Sequence, residues 1–274
     1  MGKKCGAVID IFCFFDQITK RGILDFINEK NIQIKIFKKL DSTNEFLKKN
    51  ATDNTAEGTV VIALSQTKGR GRMARKFFSP KGSGIYMSIF LKPTLKAEKS
   101  MLITAAAAVA VSEACEALGS DETEIKWVND VLINGKKVCG ILTEGSIDTK
   151  SGKFENAIVG IGVNVYHPKG DFCQEIRGVA GAVFDKNTKG LKNRLIAEII
   201  ERFMKYYAEI EQKTFLEVYR KRSAVIGKNI TVLKGENSFE ATAIGIDDNC
   251  RLQVKYPDGS EEFLGTGEIS VRLL

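Results

Sequence analysis

The sequence predicts an α+β protein: a mixed β-sheet packed with helices, followed by a small all-β barrel. Three observations carry this. Short apolar runs bounded by turn residues, Val60-Val61-Ile62-Ala63-Leu64 and Ile85 to Leu91, read as buried strands. Between Ser100 and Leu118 a run of strong helix formers, Ala105-Ala106-Ala107-Ala108 among them, closes on Gly119 and reads as one packing helix. From Ser223 the pattern changes to short strands at Ile230 to Leu233, Glu240 to Ile246, Leu252 to Tyr256, Glu261 to Leu264 and Ile269 to Leu273, with Asp258-Gly259 as a hairpin turn. The implied division is a short N-terminal extension (1–31), a main domain (32–222) and a C-terminal barrel (223–274).

At 274 residues, 43% of them hydrophobic, the chain can bury a core that stands without covalent staples. Its six cysteines form no C-x-x-C pair, and the only histidine is His167, which argues against zinc and against a disulfide framework. Scattered thiols suit a reducing cytoplasm. The apolar piece Ala7 to Phe15 is interrupted by Asp10 and is too short to span a bilayer; no small-residue cleavage pattern follows it. The net charge of +7 attracts acidic partners in general, whether nucleotide phosphates, an acidic carrier domain or nucleic acid.

Within residues 1–31, Gln17 to Glu29 reads as a short helix with Ile18, Ile23, Phe26 and Ile27 as its apolar face. The segment is about half the length of a winged helix and has no concentrated basic face, so it is expected to be an accessory or packing segment without specific DNA binding. Ile32 to Phe37 alternates like a half-buried strand. Asp41-Ser42-Thr43-Asn44 then offers N-cap residues, and Glu45 completes a capping box on Ser42 for a helix to about Asn50. Glu124 to Trp127 and Val131 to Ile133 read as strands, and Asn134-Gly135 as a type I′ turn into Lys137 to Glu144. Alternation resumes from Phe154 to Val165. The segment 166–190 is loop-like, and helices follow at Leu191 to Gln212 and Thr214 to Arg222.

Chemistry concentrates in Gln66 to Pro80, where Gly69-Arg70-Gly71-Arg72 leaves the end of a strand. Glycines let backbone N–H groups approach an anion closely, and Arg70, Arg72 and Arg75 bring forked guanidinium donors that suit phosphate or carboxylate. A solvated basic loop or a nucleic-acid patch accounts for the same residues taken alone. Gly140, Gly160 and Gly162 lie inside strands, where glycine marks a close approach to another strand or to a bound molecule.

Four stretches occur together in order: Asp41-Ser42-Thr43-Asn44; the glycine-arginine loop; Lys126-Trp127-Val128-Asn129-Asp130 with Gly140-Ile141-Leu142-Thr143-Glu144; and Gly160-Ile161-Gly162-Val163-Asn164. In this order and spacing, from about Ile32 to the C-terminus, the chain resembles the biotin–protein ligases. The resemblance implies a class II aminoacyl-tRNA synthetase-like catalytic fold with an SH3-like C-terminal domain. It also implies a two-step reaction, in which biotin and ATP form biotinyl-5′-adenylate and biotin then passes to a lysine of a biotin carboxyl carrier protein domain. By the same resemblance Ser42, Thr43, Asn44 and Gln66 meet biotin, with Gly69, Gly71, Gly140, Gly160 and Gly162 around it. Arg70, Arg72 and Lys126 hold its carboxylate against the α-phosphate and form the catalytic set. Phe77, Asn129 and Asn164 belong to the adenylate. Asp130 lies near Mg2+, which is expected with ATP. The resemblance is compatible with a homodimer and fixes no oligomeric state.

Three positions depart from the family pattern: Ala74 for a usual glycine, Phe77 for a common tryptophan and Val128 for a usual proline. None removes a charged group. A lipoate–protein ligase shares the fold and the adenylation strategy, but its aliphatic ligand has no use for the polar set at 42–44 and Gln66. A basic nucleic-acid-binding protein is the alternative of another class, and it leaves the ordered motifs unexplained.

Overall fold

The computed structural model describes residues 16–28, 32–265 and 269–273. Its elements follow one another as α1 (Lys20–Leu24), β1 (Ile34–Phe37), α2 (Thr43–Asn50), β2 (Val60–Ala63), β3 (Gly84–Leu91), α3 (Ser100–Ala117), β4 (Thr123–Lys126), β5 (Asp130–Ile133), β6 (Lys136–Ile147) and β7 (Phe154–Asn164). After these come α4 (Leu191–Ala208), α5 (Leu216–Lys221), β8 (Asn229–Lys234), β9 (Asn237–Ile246), β10 (Leu252–Lys255), β11 (Glu261–Leu264) and β12 (Ile269–Leu273).

Strands β1 to β7 form one sheet in the order β1-β2-β3-β7-β6-β5-β4, parallel only between β1 and β2. Side-chain alternation divides its two faces. Met87, Ile89, Ile141, Val159 and Ile161 join the main core with α3. On the opposite side Val61, Phe90 and Ile158 close on Leu47 of α2. Helix α3 belongs to a segment, Ala97–Ala117, long and apolar enough in composition to cross a bilayer; here it is the core helix, buried over nearly all its length. The second sheet, antiparallel throughout, runs β11-β10-β9-β8-β12.

Local signals account for several boundaries. Ser42 caps α2, its hydroxyl accepting the Glu45 amide, but the carboxylate of Glu45 pairs with Arg70 instead of returning to the cap. Asn134 and Gly135 both take positive φ, 51° and 72°, as a type I′ turn requires.

The expected helix over Gln17 to Glu29 is confined to Lys20–Leu24, and Phe26, expected on its apolar face, is 48% exposed. Residues 1–15 and 29–31 lie outside the described residues. What is described of this segment packs on α4. Gly190 caps that helix without a side chain, and Asp16 supplies the missing acceptor: its Oδ2 accepts the Lys192 amide at 2.7 Å and the Tyr166 hydroxyl at 2.9 Å. Asn193 adds bonds to the Thr19 amide and the Gln17 carbonyl. Helix α4 ends at Ala208, four residues short of the expected Gln212, because the chain turns there through Ile210 and a left-handed Lys213 (φ 56°).

Candidate active site

Strand register builds the floor of the site. Ser88 of β3 faces Gly160 of β7, which faces Leu142 of β6; in the next row Tyr86 faces Gly162, then Gly140, then Asp130 of β5. With no side chains at 160, 162 and 140 the sheet carries a trough, and two side chains enter it. A β-carbon on Gly160 would stand 2.3 Å from Asn44 Oδ1, and one on Gly162 would stand 2.6 Å from the Phe77 ring. The close approach expected at these glycines is therefore made by the protein's own side chains. A cavity of about 410 Å3 opens over this trough, between the sheet, the start of α2 and the glycine-arginine loop.

The polar end of the cavity is fixed in advance. The parallel continuation of β1 and β2 brings Gln66 beside Leu40, so that Gln66 Oε1 accepts the Thr43 amide at 2.9 Å while its Nε2 donates to Ser79 at 3.0 Å. The Ser88 hydroxyl lies 2.6 Å from both Thr43 Oγ1 and Asn44 Oδ1. Asn44 Nδ2 donates to the Leu142 carbonyl at 3.2 Å and to Glu144 Oε2 at 2.9 Å. Both partners can only accept, which turns the carboxamide oxygen toward Gly160 and the pocket. A ligand meeting that oxygen must therefore bring a donor, N–H or O–H.

The glycine-arginine segment is a hairpin. Phe77 donates to the Gly69 carbonyl and Gly71 to the Arg75 carbonyl, at 2.9 and 2.8 Å. Its turn residues Met73 and Ala74 have φ of 53° and 57°, a left-handed pair that favours Asn-Gly. Gly69 lies at the base, where a β-carbon would meet the Phe77 carbonyl oxygen at 2.3 Å. The two arginines part company. Arg70 is forked between Glu45 and Glu144, its Nη2 3.1 Å from Glu144 Oε1. Arg72 turns inward, with Nη1 3.4 Å from Asn129 Oδ1. Burial draws its pKa below the usual arginine range, and the nearby Asp130 carboxylate opposes that shift.

Lys126 ends β4 and lines the same cavity as Arg72, Asn129 and Asp130. The peptide between Trp127 and Val128 is cis. Two buried hydrogen bonds hold this stretch from behind: Trp127 Nε1 donates to the Cys250 carbonyl at 2.9 Å, and the Tyr219 hydroxyl donates to the Val128 carbonyl at 3.1 Å. Val271 of β12 also reaches the cavity.

All the expected site residues line this cavity except Gly69 and Asn164. Asn164 is the last residue of β7, where its side chain reaches back to the Lys137 carbonyl at 3.5 Å. Asp130 is paired with Lys137 at 2.6 Å, and no group of three or more His, Cys, Asp or Glu side chains gathers to hold a metal among the described residues. Magnesium fits here as the companion of ATP phosphates, keeping its waters, rather than as an ion in a protein cage. Glu45, Ser88, Lys137 and Glu144 were not among the expected site residues. Alternation offered a signal for one of them: Glu144 lies two and four residues beyond Leu142 and Gly140, and so shares their face.

A family model described as the biotin/lipoate A/B protein ligase family matches residues 36–164, and one described as the biotin protein ligase C-terminal domain matches residues 225–272. The bifunctional ligase/repressor BirA of Bacillus spizizenii is 35% identical over 224 residues, covering 80% of this chain and 68% of that protein. The chain belongs to the biotin protein ligase family. A second family member, the biotin–[acetyl-CoA-carboxylase] ligase of Mycobacterium tuberculosis, is 28% identical over 80% of this chain and 82% of its own length. The biotin protein ligase of Aquifex aeolicus, solved in complex with biotin and ATP, superposes with a TM-score of 0.74 at 27% identity, covering 88% of this chain and 99% of that one.

Proposed function

We propose that this chain activates biotin with ATP and transfers it to a lysine of a biotin carboxyl carrier protein domain, with the cavity over Gly160 and Gly162 as its active site. The observation that carries this is the division of one cavity between two chemistries. At one end Thr43, Asn44, Gln66 and Ser88 form a neutral, pre-oriented hydrogen-bonding set. At the other, Arg72 and Lys126 bring positive charge to the same space.

The ureido ring of biotin is neutral and offers N–H donors, which suits the oxygen that Asn44 turns toward the pocket. Its carboxylate then lies toward Arg72 and Lys126. A carboxylate does not acylate an amine in water. In the first step one of its oxygens forms a bond to the α-phosphorus of ATP, the bond from that phosphorus to the bridging oxygen breaks, and pyrophosphate leaves with the electron pair. In the second, the carrier lysine's neutral amine adds to the activated carbonyl, the bond from carbon to the AMP oxygen breaks, and the amine gives up a proton. Both steps accumulate negative charge around phosphorus or the carbonyl oxygen. Fixed cations in a partly dehydrated cleft stabilise that charge without reorganising. Magnesium, travelling with ATP, neutralises part of the phosphate charge.

The boundary near residue 223, between a catalytic and an SH3-like domain, is part of this reading, as is a cytoplasmic location. Of the described cysteines, Cys115, Cys139, Cys173 and Cys250 are free thiols, which suits that compartment.

The test is purified protein with ATP, magnesium and radiolabelled biotin, following pyrophosphate release and label transfer to a carrier domain separately. Biotin-dependent pyrophosphate release with label on the carrier is expected; ATP turnover indifferent to biotin would refute the proposal.

A further inference from the structure

One carboxylate links Asn44 to the glycine-arginine hairpin. Glu144 lies on the pocket face of β6 with its side chain 22% exposed; Oε2 accepts the Asn44 carboxamide at 2.9 Å, and Oε1 faces the Arg70 guanidinium at 3.1 Å. On the reading given above Asn44 meets the ligand's ring, and Arg70 belongs to the hairpin that borders the same cavity. The remaining arm of the Arg70 fork is held by Glu45, the residue after Asn44 on α2.

We propose that Glu144 is a positioning residue that couples occupation of the Asn44 subsite to the hold on Arg70, a role that rests on the reading of the pocket given above. A ligand N–H donated to Asn44 Oδ1 polarises the carboxamide and strengthens the bond from Nδ2 to Glu144, as hydrogen bonds in a chain do. Glu144 is drawn toward Asn44, and its attraction for Arg70 weakens. Arg70, left to Glu45 alone, is then more easily drawn toward an incoming phosphate. The same linkage runs in reverse, since coupling between two sites is reciprocal.

Substitutions separate the two contacts. In Glu144→Gln a single side-chain oxygen is left for two donors, Asn44 Nδ2 and the Arg70 guanidinium, and the NH2 group faces whichever is not served, so the charged hold on Arg70 is lost whichever way the amide turns. Glu144→Ala loses both contacts. Glu45→Gln loosens Arg70 without touching Asn44.

The measurement is calorimetric affinity for a non-hydrolysable ATP analogue with and without saturating biotin, on intact protein, with melting curves to check folding. In the unmodified chain biotin tightens the analogue by roughly fivefold or more. Glu144→Gln loses the enhancement, Glu144→Ala loses biotin affinity as well, and Glu45→Gln keeps the enhancement. An enhancement that survives in Glu144→Gln, or one absent from the unmodified chain although both ligands bind, overturns the proposal alone. Failure of the unmodified chain to bind biotin overturns the functional reading as well.

Discussion

The carboxamide oxygen of Asn44 lies 2.3 Å from the place a β-carbon on Gly160 would take, so this side chain and the strand beneath it leave no room for a methyl. Gly160→Ala must push Asn44 away from Ser88 and Glu144. We predict a stability loss of about 1–3 kcal/mol from overpacking and a biotin affinity lower by roughly tenfold, as one oriented hydrogen bond is lost. Urea unfolding and a biotin titration check the two effects. Unchanged biotin affinity would mean that Asn44 does not meet the ligand.

Arg72 and Lys126 line one cavity from different elements, which predicts separable defects. Lys126→Ala is expected to suppress adenylate formation. Arg72→Ala is expected to keep the fold and to form an adenylate that escapes into solution. Single-turnover assays that quantify bound and free biotinyl-adenylate distinguish them. Normal kinetics in both variants would mean that the site is misplaced.

The hairpin turn at Met73 and Ala74 places two L-residues in left-handed conformation, a cost of roughly 1–2 kcal/mol each. Replacing the pair by Asn-Gly removes most of it. Amide exchange at Gly71 and Phe77, whose N–H groups close the hairpin, should slow by roughly tenfold. Unchanged exchange would show that the turn does not limit opening.

Glu116, Thr123 and Arg222 tie α3, β4 and the end of α5 together, with Arg222 Nη2 2.8 Å from Glu116 Oε2. The Arg222 hydrogen bond lowers the Glu116 pKa from 4.5 to about 2. A carboxylate depressed in the folded state contributes stability above its unfolded pKa and loses it as pH falls through the folded value. Between pH 4.5 and about 2 the chain should therefore lose a share that Glu116→Gln does not lose. With solvent screening that share is on the order of 1 kcal/mol. Unfolding curves at neutral and acid pH give the comparison, and parallel losses in both proteins would contradict it.

Elements fixed by neighbours in sequence were legible without the structure. Ser42 as a cap, Asn134-Gly135 as a turn and the buried strands expected from Val60 and from Ile85 all follow from local geometry. The gathering of the site residues rested instead on the family resemblance. Arg70 illustrates what stayed hidden: its partners Glu45 and Glu144 come from α2 and β6, and no local pattern pairs them. Gly160 and Gly162 were recognised as close-approach positions, but only register across β3, β7 and β6 shows that Asn44 and Phe77 enter there. Residues 17–29 carried a helical pattern, yet in the described part, 17–28, the helix starts only at Lys20, since Gln17 and Thr19, with Asp16 before them, are bound to the start of α4.

A crystal structure with biotin and a non-hydrolysable ATP analogue tests the central claim most directly. Density for the ureido ring against Asn44, with the carboxylate and the innermost phosphate between Arg72 and Lys126, is the expected result. Either molecule seated outside the trough over Gly160 and Gly162 would contradict it.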